Sequence, residues 1–331
     1  MTGKEGVRES VAEEAVPAKS PKKKGLLLLN KVKKNTSLYI LLLPSVIVLF
    51  IFCYIPMYGV IIAFKDYNSF LGIGGSPWTD YYGFKHFINF VTSSDFSLII
   101  KNTLLISLTS VLVNTPFPII LALMINEVRL KWFRKSVQTI SYAPYFVSVV
   151  VIVGMCAAFT NPDSGVFTRF AEMLGMSDLS YQLHSEYFLP VYLISGLWQG
   201  CGWWAIIYVG TLSNVDPELH EAAIIDGAGR FKRIIHINIP TIVPIATIML
   251  IMSIGNLLNV GFEKVYLMQT DLNVETSEII ATYLYKQTFF SKGMKPYSYG
   301  AAVGLFNTVI NLIFLFGANF VSKKAGGETL L

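Results

Sequence analysis

Apolar residues in this chain come in long uninterrupted blocks, separated by shorter stretches that hold all the charge. Six blocks contain no Asp, Glu, Lys or Arg: 38–64, 102–126, 139–159, 188–212, 239–260 and 299–321. A bilayer core about 30 Å thick takes roughly 20 apolar residues in a helix, so each block predicts one membrane span. Lipid offers no partner to free backbone groups, so each span must be helical. The expected fold class is therefore an all-α integral membrane protein with six transmembrane helices. Prolines punctuate the spans: Pro44 and Pro56 in the first, Pro116 and Pro118 in the second, Pro144 in the third. Each removes a backbone donor and crowds the preceding turn, so kinks are expected there. The apolar run 25–29 is too brief for a signal-peptide core, and the first span is expected to stay on the protein. No internal repeat points to the inverted halves of a secondary transporter.

Composition agrees with this pattern. Of 331 residues, 53% are apolar and only 14% charged, against roughly 25% charged in an ordinary soluble domain. The mean hydropathy is +0.54. Soluble-globule, disordered and disulfide-scaffold classes are excluded. Cys53, Cys156 and Cys201 all fall within apolar blocks and have no metal-ligand spacing.

Charge sets the expected orientation. Residues 1–34 hold nine Lys/Arg and four Asp/Glu, a surplus of five that equals the net charge of the whole chain. This basic tail suits a cytoplasmic flank beside a membrane better than a nucleic-acid arm, so no nucleic acid partner is expected. With the N-terminus inside, segments 1–37, 127–138, 213–238 and 322–331 carry eighteen basic residues, and segments 65–101, 160–187 and 261–298 carry eight. The asymmetry places both termini in the cytoplasm. A flexible tail (1–34), a membrane domain (35–326) and a short C-terminal tail (327–331) complete the expected organisation.

Several chemistries lack their residues. There is no G-x-x-x-x-G-K-[ST] loop, no H-E-x-x-H and no G-x-S-x-G. The four histidines, His86, His184, His220 and His236, are far apart in sequence. Pumps and proton-coupled carriers keep carboxylates or histidines inside their spans, and the six blocks hold none. No catalytic or metal site is expected, and the pathway must be powered from elsewhere.

The segment between the fourth and fifth blocks reads SNVDPELHEAAIIDGAGRFKRIIHINIP. Asp216 followed by Pro217 predicts a helix start, with an N-cap acceptor and a preset φ. Glu218 suits the positive end of that helix. Gly227 and Gly229 predict a sharp turn. A second short helix is expected from about Arg230 to Ile237, with Arg230, Lys232 and Arg233 on it and Pro240 opening the fifth span. Two short angled helices at a membrane surface make a docking element.

The spacing of this loop resembles the EAA signature of permease subunits of ABC importers: E-A-A, three residues, G, nine residues, I, any residue, L, P. Glu221, Ala222, Ala223, Gly227, Ile237 and Pro240 stand at those places, and Ile239 replaces the usual Leu. The stretch DPELHEAAIIDGAG is similar to the sugar-importer branch. The region IMLIMSIGNLLNVGFEKVYLM and the ending VGLFNTVINLIFLFGANFVSKKAGG resemble permeases for polysaccharide-derived oligosaccharides. The resemblance spans roughly 35–326. It implies a bacterial plasma-membrane complex of two related permeases, two ATPases carrying ATP and Mg, and an extracytoplasmic solute-binding protein that delivers an oligosaccharide. The chain itself would bind no cofactor. The resemblance further implies that Glu221, Ala222, Ala223, Asp226, Gly227, Gly229, Arg230, Phe231, Ile237 and Pro240 form the ATPase-coupling element.

Sugars are recognised by amide and hydroxyl hydrogen bonds and by stacking on aromatic faces. The uncharged polar and Trp side chains within the spans are therefore the candidate substrate pathway: Asn114, Trp198, Gln199, Trp203, Asn256, Asn259, Asn307 and Asn311. Interhelical packing is the competing role for each. Lys101 is the nearest cation for an acidic sugar, and interfacial anchoring explains it equally well. An importer for a non-sugar solute would keep the docking loop and change this lining. An integral membrane transferase acting on a lipid-linked sugar would need clustered acidic residues at a membrane face, and the sequence has none.

Overall fold

The computed structural model describes residues 35–175, 179–290 and 296–330; the basic tail 1–34 lies outside the described residues. Every regular element in them is helical, and one isolated bridge pairs Lys65 with Trp78. The chain divides into two compact units, 1–59 and 60–331.

The first unit carries the start of α1 (Thr36–Phe64). The helix runs through Pro44 and then widens into a π turn at Phe50–Tyr54, just ahead of Pro56. Proline cannot donate to the carbonyl four residues back, and its ring crowds that carbonyl. Shifting the hydrogen bonds to an i→i+5 pattern relieves the clash without ending the helix.

The second unit contains α2 (Lys85–Val91), α3 (Phe96–Glu127), α4 (Lys131–Phe146), α5 (Val149–Phe159), α6 (Val166–Met173), α7 (Phe188–Leu212), α8 (Pro217–Ile225), α9 (Arg230–Gly255), α10 (Phe262–Met268), α11 (Ile280–Phe289) and α12 (Pro296–Lys324). Four helices are long and apolar enough to cross a membrane: α1, α3, α9 and α12 from Tyr297 onward. The bent pair α4–α5 makes a fifth if it is counted as one span. Helix α7 is long enough at 25 residues, but its glycines, tryptophans, tyrosines and Gln199 hold it below the hydropathy of the others.

Two expectations are corrected. Block 139–159 is not one straight helix: α4 and α5 meet at 97°. Pro144 tightens the end of α4 into a 3-10 turn, Val147 is extended, and Ser148 starts α5 afresh as N-cap, accepting from Val151 N at 3.4 Å. The fifth block is also displaced. The short helix after Gly229 does not stop before Pro240 but runs on as α9 to Gly255, through a π turn at Ile234–Asn238. The π turn again sits just ahead of a proline, Pro240, and takes up its missing donor. At the other end Asn256 caps the helix, and residues 256–260 turn away.

Three apolar clusters hold the second unit together. Ile106 of α3, Val153 of α5, Phe188 of α7 and Val265 and Met268 of α10 form one. Phe90, Ile99, Ile280, Tyr283 and Val303 join α2, α3, α11 and α12. Ala122, Ala205, Tyr208 and Ile242 join α3, α7 and α9. Small residues let the helix backbones approach, which is how packing is gained in lipid. At Gly202 the approach is closest: a Cβ there would lie 2.0 Å from the Ser141 carbonyl oxygen on α4.

The segment after α9 packs on α3 through buried polar groups. Asn102 donates from Nδ2 to the carbonyls of Glu275 and Glu278 at 2.8 and 3.2 Å, and Thr103 Oγ1 accepts from Ile280 N at 3.1 Å. Asn273 is a fully buried hub. It donates to the carbonyls of Tyr181 and Met268, both at 3.0 Å, and accepts from Thr270 N and Ser277 Oγ.

Candidate functional site: a helical loop and a polar chamber

The loop between α7 and α9 is built by its own short-range chemistry. Asp216 Oδ1 accepts from Glu218 N at 3.0 Å, and Pro217 occupies the first turn of α8. Glu218 faces the positive end of the helix dipole. At the C-terminus Ala228 N donates to Ala223 O at 2.8 Å and Gly227 N to Ile224 O at 3.0 Å. These two bonds make a Schellman cap, which requires a left-handed residue after the helix. Gly227 supplies it with φ of 77° and open space around it. Gly229 is extended and caps the start of α9, where Arg230, Phe231, Lys232 and Arg233 follow.

Most of the loop faces outward. Glu221, Ala222, Asp226, Gly229, Arg230 and Pro240 are exposed, and Ala223 and Ile237 are half-buried. Ile225 is 86% exposed and Phe231 81% exposed. Large apolar side chains beside three cations, on a rigid capped turn, form a surface that can take an apolar groove rimmed by acid. Because α9 is continuous, this surface and the far end at Gly255 belong to one helix of 26 residues.

That far end opens on a polar chamber of about 240 Å³. Helix α3 contributes Ser107, Ser110 and Asn114 to its wall, α7 contributes Tyr192, Gly196 and Gln199, and the end of α9 contributes Ser253, Asn256 and Asn259. Lys264 of α10 completes the wall. Four of the eight candidate pathway residues thus come together: Asn114, Gln199, Asn256 and Asn259. Gln199 also donates from Nε2 to Val147 O at 3.0 Å, satisfying a carbonyl freed by the α4–α5 bend.

The other four lie elsewhere. Asn307 stands behind the chamber and donates to Asn259 Oδ1 at 2.8 Å. Asn311 is buried and accepts from Leu258 N at 3.0 Å, which fixes the turn after α9. Trp203 stacks on Tyr145 with centroids 4.4 Å apart and planes within 4°. Trp198 lines a separate apolar cavity of about 790 Å³ with Phe159, Phe167 and Phe170. Lys101 is exposed and does not reach the chamber.

Lys264 escapes a search of charge-free spans, because it lies just beyond the fifth block. Its Nζ donates to Tyr192 O at 2.8 Å and stands 4.6 Å from the centre of the Tyr192 ring. Only 8% of the residue is exposed. Burial pulls its ammonium down to about 8. The sequence signal available was the lone Lys in NVGFEKVYLM, flanked on both sides by apolar residues.

Comparison with known proteins fits these features. Residues 114–326 match the family described as binding-protein-dependent transport system inner membrane component. The chain is 40% identical to the polygalacturonan/rhamnogalacturonan transport system permease protein YteP of Bacillus subtilis (strain 168), over 97% of both chains. It is also 40% identical to protein LplB of the same organism, over 93% of this chain and 95% of that one. A chain from the crystal structure of a bacterial ABC transporter involved in the import of the acidic polysaccharide alginate superposes with a TM-score of 0.79 at 36% identity, covering 90% of this chain and 98% of that chain. The structure of the bacterial alginate ABC transporter with its alginate pentasaccharide-bound periplasmic protein matches equally well. The chain belongs to the family of inner-membrane components of binding-protein-dependent transport systems. It is a multi-pass plasma-membrane permease subunit of an ABC importer, a transport subunit rather than an enzyme.

Proposed function

We propose that this permease forms, with a second related permease, the membrane pathway of an oligosaccharide importer. In this reading the chain has six spans with both termini in the cytoplasm, and α7 and the bent α4–α5 pair each count as one. The tail 1–34 and the short C-terminal tail flank the membrane domain. Two ATPase subunits, holding ATP and Mg, grip the α7–α9 loop from the cytoplasm through Glu221, Ala222, Ala223, Asp226, Gly227, Gly229, Arg230, Phe231, Ile237 and Pro240. An extracytoplasmic binding protein delivers the sugar, as in the alginate transporter complexed with its periplasmic protein.

The observation that carries this reading is the pairing of the two features by one helix. The loop surface at Arg230 and the chamber residues Ser253 and Asn256 sit at opposite ends of α9. Motion imposed on the loop reaches the chamber along a continuous shaft about 39 Å long. Amides and hydroxyls on three helices favour a polyhydroxylated cargo over a lipid or an apolar peptide. Asn114, Gln199, Asn256 and Asn259 are the proposed cargo contacts. Asn307 and Asn311 hold that wall in place, and Trp198 and Trp203 pack outside it.

The test is ATP hydrolysis by the four-subunit complex in proteoliposomes, with and without the oligosaccharide-loaded binding protein. The loaded binding protein should raise hydrolysis and drive uptake; hydrolysis indifferent to every oligosaccharide removes the sugar reading. Gly227→Val forces a β-branched side chain into the left-handed region. It should leave membrane insertion intact while stimulated uptake falls by about tenfold or more, the effect of 1–2 kcal/mol of strain at the coupling turn. Normal uptake by this variant would mean that the Schellman turn does not transmit the stroke.

A further inference from the structure

Lys264 stands apart from everything else in the chamber wall. The other polar contributors are hydroxyls and amides; Lys264 alone brings a full charge. Among the described residues no carboxylate pairs with it. Buried cations are normally paired, since desolvation is costly and only an opposite charge or several hydrogen bonds offset it. Lys264 has one protein acceptor, Tyr192 O, and the ring face of the same tyrosine. An ammonium has three donors, so two are left for something else.

The neighbouring backbone leaves room for that group. On α7, Tyr192, Gly196 and Gln199 follow at helical spacing and share the chamber face. A Cβ at Gly196 would come within 3.2 Å of Lys264 Nζ. The missing side chain keeps the ammonium clear at the wall, with Gln199 one turn on. The remaining titratable groups around it are Tyr192 on α7 and Cys156 on α5, neither an anion at neutral pH. Helix α11 also packs on α10, but turns Tyr285 toward Tyr266 and Phe262.

We propose that Lys264 is the specificity-determining residue of the pathway, and that it takes the carboxylate of an acidic sugar unit as the cargo crosses the chamber. The inference rests on the oligosaccharide-import reading and narrows it to fragments bearing uronate groups. The hydroxyls and amides on the opposite walls, Ser107 and Asn114 among them, then take the neutral edges of the sugar ring. The moderate depression of the ammonium by burial leaves it charged at neutral pH and discharged in mild alkali.

The test uses the complete importer in proteoliposomes. Oligogalacturonides and the same oligomers with every carboxyl reduced to hydroxymethyl are the two cargoes. Lys264→Met should lower uptake of the acidic oligomers by about tenfold, as for one lost charge-assisted hydrogen bond, and leave the neutral oligomers within about twofold. Lys264→Arg should restore acidic uptake. In wild type, acidic uptake should decline as pH rises through about 8, and in Lys264→Arg it should stay flat over that range, because guanidinium does not discharge there. Equal losses for both cargoes would mean that Lys264 only holds Tyr192 in place, and would overturn the inference while sparing the import reading. Identical pH profiles for wild type and Lys264→Arg would also overturn it, even if the binding protein admits acidic cargo alone. Wild-type uptake of the neutral oligomers only would reverse it. Failure to hydrolyse ATP in response to any sugar would instead bring down the oligosaccharide reading and this inference with it.

Discussion

At the scale of single residues, the helix packing depends on places where a side chain would not fit. Gly202 is one, since the carbonyl of Ser141 occupies the space of its missing Cβ. Gly202→Ala should force α4 and α7 apart at a cost of about 1–3 kcal/mol, the usual range for overpacking. The measurement is the melting temperature of the purified importer in detergent. Gly210→Ala, on the same helix with open space around it, is the control and should melt like wild type. Asn273 works in the opposite sense: its side chain replaces backbone partners that irregular chain cannot provide, and each bond it makes is to a buried group. Neither role was legible in the sequence. Gly202 looks like any glycine in an apolar block, and Asn273 like any asparagine in a loop, because both depend on partners distant along the chain.

At the scale of elements, local chemistry was readable and its continuation was not. Asp216, Pro217 and Gly227 announce α8 and its end, and the structure bonds them as their side chains and φ values require. Pro240 was read as the start of a new helix, because proline favours first turns. The backbone instead takes in the proline by widening at Ile234–Asn238, as it does at Phe50–Tyr54 before Pro56. The sequences IIHINIP and FIFCYIP share this device. A π turn holds one residue more than the α-helix would. Deleting Ile235 should therefore rotate the rest of α9 by about 100° and carry Ser253 and Asn256 off the chamber wall. Uptake should be lost while the subunit still copurifies with its ATPase. Normal uptake by the deletion variant would show that the turn does not set the register. The α4–α5 bend has a similar lesson: Pro144 and Ser148 marked a break, but only Gln199 on another helix makes its free carbonyl tolerable.

At the scale of the whole molecule, membrane class and docking loop were open to the sequence because both depend on residues close together in the chain. The chamber was half open to it. Polar residues inside apolar blocks were visible, but not which of them converge, and a cation just past a block boundary was counted with the outer loop. Long-range arrangement separates Asn256 at the chamber from Trp203 against Tyr145.

One property of α7 reaches back to how the protein is made. It lies at the centre of the packing, against α3 and α9, yet its own composition is the least greasy of the long helices. The insertion machinery sorts emerging segments by their individual affinity for lipid, and α7 on its own is a poor client. Placed alone in a host protein and scored by glycosylation of its flanks, it should enter the bilayer less efficiently than α9 or α12. In its native chain it follows α3, whose Ala122 lies in the same cluster as its own Ala205. Biogenesis of this subunit is thereby cooperative: an early, self-sufficient segment has to wait at the ribosome's exit for the reluctant one that completes it.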